Sequence, residues 1–270
     1  MLLQPKEYWI SSKEDEKKLW RYMDFAKFIS LIESKSLHFI NIGSLKASDK
    51  FEGKIPEGVI KLVQLPVENM TNEELIEQGF PKERIEEFRL WHQIHKAKLE
   101  NERITKNLSL INSWHCNEIE SYTMWKTYSS DKDGVAICTT TYKLELELKK
   151  NKDYTFVLDK VSYYNEGENE PIPQLPNVPW AEGFLKRRNF ESENEYRAYL
   201  YMGVFGTKGM ENVKSLEKVG KVDNIKVKVD LERMISAIYI NPASQDWIRE
   251  LVEDLMIRYE LSIPVLKSSI

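Results

Sequence analysis

The chain has 270 residues, of which 41% are hydrophobic and 11% aromatic, which excludes an intrinsically disordered protein and suffices for a sizeable core. A net charge of −4 makes broad nucleic-acid binding unfavourable, and two cysteines are too few for the disulfide framework of a small secreted protein. No apolar stretch approaches the roughly 20 residues that span a bilayer and no signal peptide is recognisable, so we expect a cytoplasmic protein with reduced thiols and no membrane partner.

The first predicted helix lies in the segment DFAKFISLIESKSL. Its apolar residues from Phe25 to Ile32 fall at i, i+3, i+4 and i+7, which is one face of a helix, and Asp24 is placed to cap the first turn. The following LHFINI predicts a short strand, and SLKASDKFEGKIPEG has the Gly and Pro content of a polar loop.

Residues 71–106 predict a pair of helices inserted between strands. Thr71 followed by Glu74 is a capping-box pattern for a helix that ends near Gly79, and a second helix should begin at Pro81. The inner stripe of the second helix comprises Ile85, Phe88, Trp91 and Ile94.

Two histidines, His92 and His95, lie three residues apart on the second helix of this pair. Zinc ligands use such a spacing, but no further Cys or His cluster accompanies them. We therefore predict that both imidazoles occupy a solvated helix face and that the protein holds no metal.

Four segments carry strand patterns: LSLINSW, GVAICTTT, YTFVLDKVSYY and NIKVKVDL. They are rich in β-branched residues or alternate in polarity, as at Ile225, Val227 and Val229. We expect these strands to join one sheet. Between the third and fourth segments, the Pro-rich residues 165–180 predict a surface loop that is a candidate lid.

The C-terminal region predicts a strand, a helix and a final strand in the segments AIYINP, SQDWIRELVEDLMIRYEL and IPVLKSSI. The helix places its apolar side chains on one face at Trp247, Ile248, Leu251, Val252 and Leu255. Because strands and helices mix without a regular βαβ rhythm, we predict a single α+β domain over residues 1–270 with a mixed, largely antiparallel sheet and flanking helices.

The segment from Ser113 to Tyr128 concentrates polar and aromatic side chains. One interpretation is a strand that enters a short helix whose aromatic residues pack in the core. The other is a pocket wall in which rings stack on a base or nicotinamide while hydroxyl and imidazole groups orient the ligand. The candidate binding residues of this segment are Ser113, Trp114, His115, Glu120, Trp125 and Tyr128.

The adjacent His115 and Cys116 suggest a thiol nucleophile beside its base. Neighbouring residues of a strand point to opposite faces of the sheet, however, so these two side chains cannot pair with each other. A cysteine hydrolase is therefore disfavoured.

A charged segment, LKRRNFESENEYRAYL, follows the Pro-rich residues. If its second half is a strand, Glu193, Glu195 and Arg197 share one face. Such a row of alternating charge either lines a site or forms an exposed sheet edge with paired charges.

The segments WRYMDFAKFISLIESKSLHF, SWHCNEIESYTMWKTYS, GVAICTTTYKL, LKRRNFESENEYR, and IYINP with the helix that follows, occur in this order. Together they resemble the bacterial domain-of-unknown-function family 2971, over about Leu19 to Ser268. The segments around SWHCNE and ENEYR are the most specific part of that resemblance.

The chain also resembles, more distantly, the ADP-ribosyltransferases whose motif is an Arg on the first strand, a Ser on a middle strand and a Glu-x-Glu near a later strand. Arg21, Ser113, and Glu193 with Glu195 occur in that order. The resemblance implies an ADP-ribosyltransferase-like fold in which Arg21 contacts the dinucleotide, Ser113 organises the pocket and Glu195 engages the ribose. The middle motif departs from many members of that group in having Trp and His after the Ser.

The same resemblance implies a protein that takes NAD as its substrate and transfers ADP-ribose to an unknown acceptor or hydrolyses NAD, in a bacterial antiviral or stress response. A carboxylate at Glu195 would stabilise the positive charge that develops on the sugar. Arg21 offers a bidentate fork for phosphate, and Tyr22 is a candidate for stacking on the nicotinamide beside Trp114 and Trp125. Arg197 belongs to the candidate binding set.

Two alternatives stay open. The same pocket would serve a non-catalytic module that senses a nucleotide or another ligand. A metal-dependent nuclease would use Asp49, Glu52, Glu193, Glu195 and Lys186 as candidate ligands and base, but the acidic net charge and the lack of a recognisable nuclease spacing count against it.

Overall fold

The computed structural model describes residues 16–47, 53–54, 56–100, 107–129, 132–154, 156–165, 181–201 and 221–270. Eleven strands fall in these ranges: β1 Lys18–Met23, β2 Ser36–Asn41, β3 Ser109–Cys116, β4 Val135–Thr140, β5 Phe156–Lys160, β6 Ser162–Tyr164, β7 Leu185–Arg187, β8 Glu195–Tyr201, β9 Asn224–Lys228, β10 Ala237–Ile240 and β11 Val265–Lys267. The α-helices are α1 Phe25–Ser34, α2 Glu57–Val63, α3 Asn72–Glu77, α4 Ile85–Glu100, α5 Tyr122–Tyr128, α6 Thr141–Lys149, α7 Leu231–Met234 and α8 Asp246–Arg258.

One large sheet organises the fold. Seven of its strands run in the order β11-β10-β4-β1-β3-β2-β9, and β8 and β5 extend it from β3. Every pair in this sheet is antiparallel except β10 with β11. The prediction of a mixed, largely antiparallel sheet with flanking helices is therefore confirmed. Strand β6 pairs instead with β7, so the segment YTFVLDKVSYY contributes to two sheets rather than one.

Strand β3 is the branch point of the large sheet. One edge pairs with β8 from Ser109 to His115. The other edge pairs with β2 at Leu110 and Ile111, and with β1 at His115 and Cys116. On that second edge, residues 112–114 have no strand partner within the described residues. The strands β1 and β2 therefore part at this point and leave an opening against β3.

Helix α1 connects the two parting strands. Asp24 caps it as predicted, because its Oδ1 accepts a hydrogen bond from the Lys27 backbone N at 2.8 Å. The helix buries Phe28 and Ile32 and ends at Lys35, whose φ of 42° places it in the left-handed region and turns the chain into β2. The hydrophobic face of α1 thereby closes one side of the main core.

The inserted helices form largely as predicted. A capping box joins Thr71 and Glu74, and α3 ends at Glu77, near the expected Gly79. A short 3₁₀ turn, Lys82–Arg84, precedes α4, which is described as far as Glu100. Residues 101–106 of the predicted insertion lie outside the described residues, as do residues 166–180 of the Pro-rich loop.

The prediction that His92 and His95 occupy a solvated face was wrong. Both residues are only 3% exposed, and each ring bonds a backbone carbonyl: His92 Nε2 lies 3.0 Å from Leu65 O and His95 Nδ1 lies 2.9 Å from Trp91 O. The segment around Leu65 covers the face of α4 that sequence periodicity alone left exposed.

The C-terminal elements form the predicted strand, helix and strand. Within α8, Ile248 and Val252 are buried, whereas Trp247 is 55% exposed and does not belong to the core face. Among the described residues, no helix has the length and apolar character to cross a membrane.

Candidate functional site

A cavity of about 440 Å³ lies where β1 and β2 part from β3. Its volume is in the range typical of small-molecule sites. Strands β1, β2, β3 and β8 and helices α1 and α5 all contribute side chains to it. The polar lining includes Arg21, His38, Ser113, His115, Lys186, Glu193, Glu195 and Arg197, and the aromatic lining includes Trp20, Tyr22, Trp114 and Tyr128. Arg21, Ser113 and Glu195 therefore line one cavity although they lie far apart in sequence, and strand alternation brings Arg21 to it from the sheet face opposite to that of Glu195.

One nitrogen of the Arg21 guanidinium lacks a partner within the described residues. This atom, Nη1, is buried and has no hydrogen-bond partner within the described residues, and the guanidinium lies 5.7 Å from the centre of the Trp114 ring. Burial lowers the pKa of Arg21 to about 10, so the group stays charged at neutral pH. A buried guanidinium nitrogen without a partner favours an anionic ligand.

His115 is held in one tautomer. Its Nδ1 lies 2.6 Å from the backbone carbonyl of Glu193, which can only accept a hydrogen bond, so Nδ1 carries the proton. Burial lowers the pKa of the ring, outweighing the hydrogen bond to Glu193, which acts in the opposite direction. In the neutral ring Nε2 is then a lone-pair acceptor, and this buried atom has no partner within the described residues.

A buried ion-pair network centres on Glu195. Arg197 donates from Nε to Glu195 Oε2 at 2.7 Å and from Nη2 to Oε1 at 3.2 Å, while Lys186 Nζ approaches Oε1 to 2.5 Å. Burial alone would raise the pKa of Glu195, but the charges of Arg197 and Lys186 outweigh it and hold the pKa well below its usual 4.5. Both oxygens of this carboxylate are thus already paired.

Glu193 belongs to the same network without belonging to the strand. It ends a 3₁₀ turn, Arg188–Glu193, and Asn194 with φ of 39° links that turn to β8. Lys186 Nζ lies 2.5 Å from Glu193 Oε2 and bridges the two glutamates. Burial and the hydrogen bond to Glu195 raise the pKa of Glu193. The network is therefore two carboxylates and two cations, with no net charge when both carboxylates are ionised.

The charged row is not an exposed edge. Strand β8 lies between β3 and β5, and Glu195 and Arg197 are 6% and 1% exposed. The sequence allowed the charged residues Glu193, Glu195 and Arg197 either to line a site or to form an exposed sheet edge, and in the structure they line the cavity. The expectation that Glu193 shares the strand face was wrong, because Glu193 belongs to a 3₁₀ turn and β8 begins only at Glu195.

Tyr22 is a fixed ring in the cavity wall. Its hydroxyl accepts a hydrogen bond from Ser121 N at 2.9 Å, and its ring meets Trp125 edge to face with centroids 4.9 Å apart. Tyr128 is 40% exposed, which leaves its ring accessible from solvent. Of the rings considered for stacking on a nicotinamide, Tyr22 and Trp114 line the cavity.

Two predicted binding residues, Glu120 and Trp125, are not among the residues that line the cavity. Trp125 Nε1 donates to Glu120 Oε2 at 3.1 Å, and Ser269 N donates to Glu120 Oε1 at 3.3 Å. Trp125 of this pair packs against Tyr22, and Glu120 binds the backbone of Ser269 near the C-terminus. In this structure the two side chains hydrogen-bond each other.

Sequence reasoning did not select His38, Trp20 or Lys186 as binding residues. His38 Nε2 is buried without a partner within the described residues, and Lys186 bridges both glutamates. A lone His in a predicted strand carries no signal of its own. Lys186 lies seven residues before Glu193, and this closeness in sequence to the Glu-x-Glu was the only indication in the sequence that Lys186 could belong to the site.

Neither cysteine is among the residues that line the cavity. Cys116 and Cys138 are both buried free thiols, and burial raises the pKa of Cys138 to about 11 and also raises that of Cys116. Cys116 packs in the main core, on the opposite face of β3 from His115, as strand alternation predicts.

Within the described part of the chain, no group of three or more His, Cys, Asp or Glu side chains is arranged to hold a metal ion. Asp49 and Glu52, named for the nuclease alternative, lie outside the described residues. No family model, curated protein or solved structure matches this chain.

Proposed function

We propose that this protein binds NAD or a related nucleotide in the cavity and cleaves the bond between nicotinamide and ribose, in the manner of ADP-ribosyltransferases. One observation carries the proposal: Arg21, whose buried Nη1 has no partner within the described residues, lines the same 440 Å³ cavity as Ser113, Glu193 and Glu195. A buried cation suits the pyrophosphate of a dinucleotide, and the carboxylates suit the sugar cation formed when the glycosidic bond breaks.

Each group has a role that its surroundings permit. Arg21 donates to a phosphate oxygen, and the rings of Tyr22 and Trp114 offer faces against which a nicotinamide packs. Glu195 is preorganised by Arg197 and Lys186, so it need not reorganise when positive charge develops on the ribose. No metal is required by this chemistry.

The test of binding compares NAD affinity in the wild type, Arg21→Ala and Arg233→Ala. Arg233 is the matched control, because its side chain is 71% exposed and pairs with Asp230, three residues before it. A hydrogen bond to a charged group contributes about 1.5–3 kcal/mol, so loss of Arg21 should weaken binding by roughly 10- to 100-fold. Calorimetry with NAD and ADP-ribose measures this. Equal affinity in all three proteins would contradict the assignment of Arg21.

The test of catalysis measures nicotinamide release from NAD by the wild type and Glu195→Gln. The substitution retains the size of the side chain but removes the negative charge and replaces one acceptor oxygen with a donor, so we expect turnover to fall by about 100- to 1,000-fold while NAD affinity changes little. The melting temperature must be recorded in parallel, because Glu195 is also an ion-pair partner. An equal rate in a folded Gln variant would exclude Glu195 as the catalytic carboxylate.

A second candidate function is a non-catalytic sensor of NAD or ADP-ribose. It is favoured by the pairing of both Glu195 oxygens with Arg197 and Lys186, which reduces the charge available to a sugar cation. Binding of NAD without nicotinamide release, under conditions in which the fold is intact, would support the sensor.

A further inference from the structure

We infer that His115 is the general base of this site, and that its Nε2 removes the proton from the oxygen nucleophile that attacks the ribose. The inference rests on the proposed cleavage of NAD and adds the residue that activates the acceptor. It concerns an acceptor that is a hydroxyl group, with water as the simplest case.

The backbone prepares His115 for this role before any ligand binds. The Nδ1 proton is committed to the Glu193 carbonyl at 2.6 Å, which leaves Nε2 with its lone pair. The arrangement matches the general pattern in which a base is oriented by a third group. Here the orienting group also belongs to the residue that begins the Glu-x-Glu sequence.

The ring is fixed from several directions. Tyr22 on β1 meets it edge to face with centroids 6.2 Å apart, and its neighbours in register are Trp20 on β1 and Glu195 on β8. Held by these contacts, Nε2 is buried and has no partner within the described residues. A ligand or water in the cavity is the partner that it lacks.

The proton and electron balance is complete with NAD and water. The bond between ribose C1′ and the nicotinamide nitrogen breaks, and its electron pair neutralises the pyridinium, which leaves as nicotinamide. The water oxygen bonds to C1′, and its proton passes to His115 Nε2 and then to solvent. The products are ADP-ribose, nicotinamide and one proton. If an alcohol replaces water, the product is the corresponding ADP-ribosylated alcohol.

The experiment measures nicotinamide release and NAD affinity in the wild type, His115→Ala and His115→Gln, with and without added imidazole. General-base catalysis contributes about 100- to 10,000-fold, so both variants should lose activity on that scale with NAD affinity nearly unchanged. Imidazole should restore part of the rate to His115→Ala, which has space for it, and none to His115→Gln. Free ADP-ribose as the product identifies water as the nucleophile.

His92→Ala is the matched control, because His92 is equally buried but belongs to α4 and is not among the residues lining the cavity. It should keep wild-type turnover and show no response to imidazole. An active wild type with an equally active His115→Ala overturns the inference and leaves the proposed function intact. A loss in His115→Ala that imidazole does not restore also overturns it and assigns His115 a structural role. A wild type that releases no nicotinamide overturns the proposed function, and this role with it.

Discussion

Replacing Arg197 with Met should strongly destabilise the folded protein. Arg197 is 1% exposed, and its guanidinium serves both oxygens of Glu195 and donates from Nη1 to the Gly183 carbonyl at 2.8 Å. Methionine fills much of the same apolar volume, so the substitution removes the charge without opening a large cavity. What remains is a buried carboxylate that has lost its main partner.

The size of the effect follows from those contacts. Removing one partner of a buried ion pair costs about 3–5 kcal/mol, because the other charge stays buried. Lys186 still contacts Glu195 Oε1 in the variant, which argues for the lower end of that range. The Gly183 carbonyl also loses its donor, which adds about 1 kcal/mol. We expect a loss of about 4 kcal/mol in the free energy of unfolding at pH 7.

Urea denaturation with a fitted slope is the assay. Arg249→Met provides the control, since Arg249 is 51% exposed and its pair with Glu253 at 2.8 Å is a surface i,i+4 contact. The control should change stability by less than about 0.5 kcal/mol. A loss below about 1 kcal/mol for Arg197→Met with an unchanged slope would refute the argument, because the network would then contribute no more than a surface pair.

Acidification should reduce the difference in the free energy of unfolding between the wild type and Arg197→Met. The folded-state pKa of Glu195 lies below its ordinary 4.5, so the wild type loses the stability of this pair as the pH falls below about 4.5. In Arg197→Met the charge that lowers the pKa of Glu195 most is gone, and burial raises that pKa. Protonation of Glu195 then removes the unpaired buried charge. The two proteins should therefore differ most near neutral pH and less near pH 4. A difference that grows on acidification would contradict the assignment.

Three further predictions concern packing. Cys116 and Cys138 should resist a thiol reagent at pH 8 in the native protein and react once it is unfolded, because both are buried with raised pKa values; rapid native labelling of either would contradict their burial. Thr71→Ala should cost about 1 kcal/mol in thermal unfolding through loss of the capping box, and no change would mean that α3 is frayed in solution. Gly183→Ala should destabilise by about 1–3 kcal/mol in denaturant titration, because its Cβ would lie 2.4 Å from a ring carbon of Tyr199; full stability would show that the ring moves freely.

The sequence by itself determined the local elements of this protein. Periodicity and capping residues predicted that α1 begins after Asp24, that α3 begins after Thr71 and that α8 follows β10. These signals can be read from the sequence because they arise from residues only a few positions apart. Alternation likewise predicted that His115 and Cys116 face opposite ways. The order of Arg, Ser and Glu in the chain supplied the hypothesis about the site.

Only the tertiary structure decided what each of those side chains contacts. His92 is buried because a segment 27 residues earlier in the chain covers it, and Glu120 bonds Trp125 and Ser269 rather than the cavity. The cavity itself exists because β3 pairs with β1 at one end and β2 at the other, and such long-range pairing leaves no trace in local periodicity. Strand alternation already placed Arg197 on the same face as Glu195, but only the tertiary structure brings Lys186 of β7 against both glutamates and leaves Arg21 Nη1 without a partner within the described residues.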